Sequence, residues 1–106
     1  MSRFVIVAYK PKTGMEPRLN AVVAKHLQVL ASERLVTERS GYVMRGKNGT
    51  LVEVFEWLSA VAISAAHSNA NVTALWAEFA AVRDYVPLAS LAESQQMFAE
   101  FESVVL

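Results

Sequence analysis

Two strand-like runs in this chain are apolar on both faces, and this restricts the fold more than any other feature. Phe4–Tyr9 (FVIVAY) is an unbroken apolar run rich in β-branched residues. It ends at Lys10, Pro11 and Gly14, residue types that favour turns. Without alternation, such a strand needs cover on both sides. Thr50–Trp57 behaves alike: Val52 and Val54 share one face, while Leu51, Glu53, Phe55 and Trp57 share the other. A sheet open to water on one side does not carry bulky apolar residues on both.

The rest of the chain supplies the order of elements. Residues 16 to about 34 read as an amphipathic helix. Pro17 and Glu16 suit its first turn, and Leu19, Val22, Val23, Leu27 and Leu30 form its apolar stripe. Leu35–Arg45 and Thr50–Trp57 read as a strand pair joined by Gly46-Lys47-Asn48-Gly49, a strong hairpin signal. Ser59 is placed to cap a helix running to about Ser68. Asn71 is placed to cap a second piece, Val72–Asp84, with the Ser-Asn-Ala-Asn stretch breaking the helix between them. Tyr85–Leu91 reads as a short strand, at a sheet edge because Pro87 has no N–H to donate. In the tail, Met97, Phe98, Phe101 and Val105 fall at helical spacing, which predicts a helix or arm. The order is β-α-β-β-α-β plus a tail, the ferredoxin-like split βαβ pattern of an α+β fold. Helices cover one sheet face, so a second sheet from an identical chain is the economical cover for the other.

Composition narrows the function. The 106 residues suit one domain, and 54% are hydrophobic, rich for a small monomer and pointing to a partner copy. Lys plus Arg and Asp plus Glu number 10 each. The chain has no basic field for nucleic acid or a membrane surface. It has no cysteine, hence no disulfide or thiolate chemistry, which is compatible with the cytoplasm. The N-terminus lacks the pattern of a signal peptide, and no run is long enough to span a bilayer. No phosphate loop, nucleophile elbow or metal-ligand cluster is present, so no cofactor or metal is expected from the residues.

The side chains that carry chemistry gather between residues 53 and 79. Glu53 sits mid-strand among apolar neighbours, where a carboxylate must be paired or functional. As a pair its partners would be Arg39 or Arg45; as a functional group it would serve as a general base. His67 is the imidazole of the second helical region, a candidate acid or base, or else a histidine bonded at a helix end. His26 lies on a different helix, which argues against a zinc site. Trp57 and Trp76 can wall a planar ligand, although Trp76 also fits the core stripe of its helix. Tyr9, Tyr42, Asn69 and Phe79 complete the expected pocket for a small apolar or aromatic ligand.

The element order, the length and the segment Glu53–Phe79 resemble the dimeric α/β-barrel superfamily, most nearly its antibiotic biosynthesis monooxygenase-like branch. The resemblance rests on Phe55-Glu56-Trp57 closing a strand, Ala66-His67 on the next helix, and a second short helix bearing Trp76 and Phe79. It implies a homodimer packed sheet to sheet, and an activity such as cofactor-independent oxidation of a phenolic substrate or haem degradation with His67 as ligand. A non-catalytic homodimeric binding or stress-related protein is the alternative.

Overall fold

The computed structural model describes every residue from Met1 to Leu106. In chain order the elements are β1 (Arg3–Pro11), α1 (Glu16–Ser32), β2 (Tyr42–Arg45), β3 (Leu51–Trp57), α2 (Ala60–Ala66), α3 (Ala70–Val82), β4 (Arg83–Val86) and β5 (Glu102–Ser103). The sheet order is β4-β1-β3-β2-β5 with all neighbours antiparallel. The ferredoxin-like α+β pattern expected from the sequence is therefore the one observed. No helix is long and apolar enough to cross a membrane.

The strand parity places the core. Tyr9 and Leu51 project onto the helices and pack with Leu19, Val22, Val23, Leu75, Phe79 and Val82. Phe55 and Trp57 extend this layer to Leu30, Leu35, Ala62, Ala66 and Val72. Burying a leucine or phenylalanine of this kind contributes about 1.5–3 kcal/mol. Ser59 caps α2 as expected, its hydroxyl accepting from Ala62 N–H. The cap of α3 is Asn69 rather than Asn71. Asn69 has extended backbone, and its side-chain oxygen accepts from the N–H groups of both Asn71 and Val72.

The opposite sheet face is half covered. Ala8 and Val52 are sealed by Leu91, with Phe101 packed beside them. Phe4, Ile6 and Tyr42 on the same face are 66%, 51% and 71% exposed.

Three expectations need correction. Only Tyr42–Arg45 of the expected strand Leu35–Arg45 joins the sheet as a strand, with a lone bridge from Val36 to Trp57. The intervening chain turns away, and Thr37 and Arg39 close on the Glu56 carboxylate at 2.7 and 2.9 Å. The last full strand spans Arg83–Val86, on the sheet edge; Pro87 ends it, and Leu88–Ser90 is a 3₁₀ turn. The tail, expected as a helix or arm, forms an arm on the body and not a regular helix. A 3₁₀ turn at Ala92–Gln95 leads to extended chain, because the free edge of β2 offers backbone partners to Glu102–Ser103. Glu93 fastens this segment to the β2–β3 hairpin by accepting the Lys47 N–H at 2.8 Å, and that bond holds its carboxyl below the usual carboxylate range. Glycine at position 46 permits the approach: a Cβ there would lie 3.2 Å from Glu93 Oε1.

Candidate active site

The site is built around a carboxylate that folding has removed from water. Glu53 is 1% exposed in the middle of β3, on the helix-facing side. A buried carboxylate is tolerated only with hydrogen-bond donors around it, and two side chains supply them. The Tyr9 hydroxyl donates to Oε1 at 2.7 Å, and His26 Nδ1 lies 2.7 Å from the same oxygen. The arginine pairings considered for Glu53 do not form: Arg39 is bonded to Glu56, and Arg45 to Glu102 at 3.5 Å.

His26 comes from the core stripe of α1, between Val23 and Leu30, and is 4% exposed. In the contact with the Glu53 carboxylate Nδ1 is the donor, and Nε2 is the ring nitrogen that this contact leaves unused. The ring is held by edge contacts with Phe55 and Phe79, at centroid distances of 5.2 and 5.1 Å. Phe79 also stacks on Tyr9 at 4.9 Å. Burial, reinforced by the nearby Glu53 charge, pushes the Tyr9 phenol far above its ordinary range. Tyr9 therefore acts as the donor in its bond to Glu53.

An apolar cavity of about 140 Å³ opens against this cluster, with Tyr9 and His26 in its wall. Val5, Val7 and Phe55 contribute further apolar surface, and Trp57, Trp76, Phe79 and Tyr85 complete the enclosure. The arrangement amounts to an imidazole in the wall of an apolar aromatic pocket, held from behind by a carboxylate that a phenol also bonds. An imidazole so placed is a candidate general base.

Of the site residues expected from the sequence, Glu53, Tyr9, Trp57, Trp76 and Phe79 come together here. Of the other three, His67 lies beside the cavity, behind Trp76, and Asn69 and Tyr42 lie elsewhere. His67 caps the end of α2, with Nδ1 2.9 Å from the Ile63 carbonyl and its ring edge-on to Trp76 at 5.0 Å. Asn69 is occupied by its cap and by a bond from Nδ2 to Glu33 at 2.7 Å. Tyr42 lies on the opposite sheet face with Phe4 and Val54. His26 is the residue that the sequence reading passed over. Its signal was present: it lies seven, four and three residues after Leu19, Val22 and Val23, hence on the buried face. No group of three histidine, aspartate or glutamate side chains is arranged to hold a metal ion.

No family model and no curated protein sequence matches this chain. Among solved structures it is similar to SnoaB, a cofactor-independent oxygenase from Streptomyces nogalater, with a TM-score of 0.65 and 14% identity over 80% of this chain and 85% of that one. The likeness is one of fold. It agrees with the ferredoxin-like α+β fold described above, and the chemistry must be argued from the residues themselves.

Proposed function

We propose that this protein is a cofactor-independent, monooxygenase-like enzyme that oxidises a phenolic or related aromatic substrate, working as a homodimer. The observation that carries this reading is the buried Tyr9–Glu53–His26 cluster facing an otherwise apolar aromatic cavity. His26 Nε2 removes the substrate's hydroxyl proton. Glu53 stabilises the resulting imidazolium and fixes its orientation, and Tyr9 holds Glu53 in place. The electron-rich anion then reduces molecular oxygen directly. In the overall change, a hydroxyarene and one dioxygen give a quinone and one water: one oxygen atom bonds to the ring carbon that loses its hydrogen, and the other leaves as water. The apolar walls keep bulk water away from the anion, which raises its reactivity. The fold shared with a cofactor-independent oxygenase supports the reading by analogy.

The homodimer is supported by the uncovered half of the sheet face. Phe4, Ile6 and Tyr42 present there an apolar surface that an identical sheet would bury.

The test is oxygen uptake at an electrode with naphthol as substrate, combined with detection of the naphthoquinone. Wild type consumes oxygen in step with quinone formation, and His26→Gln loses about a hundredfold or more of the rate, the usual contribution of a positioned base. Equal rates in wild type and His26→Gln, or no substrate-dependent uptake in wild type, would remove the proposal.

A further inference from the structure

A second depression, of about 440 Å³, adjoins the cavity. Trp57, Trp76 and Tyr85 line both, so a ligand reaching past these side chains would occupy the two as the inner and outer halves of one channel. The outer half adds Ile63, His67 and Arg83. Arg83 and Tyr85 stand two residues apart on β4 and so project to the same side. The guanidinium carbon lies 3.2 Å above the Tyr85 ring centre.

This cation lacks an anionic partner. Asp84 is taken by Lys12 at 2.8 Å, Glu53 is held by Tyr9 and His26, and Arg83 forms no ion pair. Its Nε is buried without a hydrogen-bond partner. An unpaired buried donor is costly, and natural structures rarely leave one without a use. The planar edge of a guanidinium matches a carboxylate.

Volume adds an independent constraint. An apolar cavity of about 150 Å³ holds one benzene ring, and the inner half here is of that size. Whatever else a ligand carries must lie in the outer half, beside Arg83.

We propose that the ligand of this channel is a hydroxyaromatic acid, with its reacting ring in the inner cavity at His26 and its carboxylate in the outer depression on Arg83. Arg83 is then the specificity-determining residue of the site. The inference rests on the oxygenase reading for the role of the inner ring, but the anion site on Arg83 is separately measurable.

The test is calorimetric binding of hydroxynaphthoate and of the uncharged hydroxynaphthamide. Wild type binds the acid about ten- to hundredfold more tightly, the range expected of a charge-assisted hydrogen bond. Arg83→Gln abolishes that preference and leaves the amide unchanged, while Arg83→Lys restores part of it. Should Arg83→Gln fail to fold, salt decides: in wild type, added sodium chloride weakens the acid and spares the amide. No binding of the acid, equal affinity for acid and amide in wild type, or a preference that survives in Arg83→Gln overturns the proposal. Acid binding that follows Arg83 in a protein without oxygen uptake supports this site and removes the oxygenase. Oxygen uptake without any preference for the acid does the reverse.

Discussion

Replacing Tyr9 by phenylalanine removes one oxygen atom and leaves the ring stacked on Phe79. The lost group donates at 2.7 Å to a carboxylate that is 1% exposed. A hydrogen bond to a charged group is worth about 1.5–3 kcal/mol. For a chain of this length the unfolding entropy is about 0.2 kcal/mol per degree, so Tm should fall by about 7–13 °C. The pH dependence is more diagnostic. Tyr9 is held protonated in the folded protein by burial and by Glu53, whereas in the unfolded chain it ionises near 10.0. Above that pH the unfolded state binds fewer protons than the folded one, so stability falls as pH rises, by about 1.4 kcal/mol per pH unit. Tyr9→Phe lacks this loss. The stability gap between wild type and variant is therefore constant below pH 10 and narrows above it. Urea unfolding followed by circular dichroism at pH 7, 10 and 11 measures the gap. A variant as stable as wild type at neutral pH, or a gap that does not narrow between pH 10 and 11, would refute the buried Tyr9–Glu53 bond.

Two further outcomes follow from other parts of the molecule. Ile6→Asp places a charge in the centre of the uncovered sheet face; if the proposed homodimer forms through that face, sedimentation should show a dimer for wild type and monomers for the variant, with the fold retained, and a dimer in both would relocate the interface. The lowered pKa of Glu93 works in the opposite pH direction to Tyr9. Its contribution to stability is present above the ordinary glutamate value of about 4.3 and is lost as pH falls below it. The protection factor of the Lys47 amide should decline over that acidic range in wild type, and Glu93→Gln should remove the dependence.

The elements with strong local signals were legible in the sequence. The continuous apolar β1, the glycine-bounded hairpin and the Ser59 cap each appear where residue type and spacing put them. Glu53 was also legible as an anomaly, because β3 parity sets it among Leu51, Phe55 and Trp57. Its partners were not, since arginines on the adjoining strand are nearer in sequence pattern than a histidine from α1. His26 reaches Glu53 only through the packing of helix on sheet, a tertiary fact. Helical spacing from Leu19 and Val22 nevertheless marks it as buried, and a buried imidazole needs a partner. In the tail the arm forms but the helix does not, for a different reason. Met97, Phe98, Phe101 and Val105 have helical spacing but no single surface to bury them on: Phe101 packs beside Leu91, whereas Met97 and Phe98 remain 93% and 82% exposed. The unpaired edge of β2 then outweighs a marginal helix.

The chain has two tryptophans, and both stand in the wall shared by the inner cavity and the outer depression. All of the indole emission therefore originates at the channel. A molecule entering it changes the polarity around both emitters at once, with no contribution from tryptophan elsewhere to dilute the signal. The protein is in this sense its own optical probe. Unlabelled wild-type protein suffices to screen candidate ligands by colour shift and quenching.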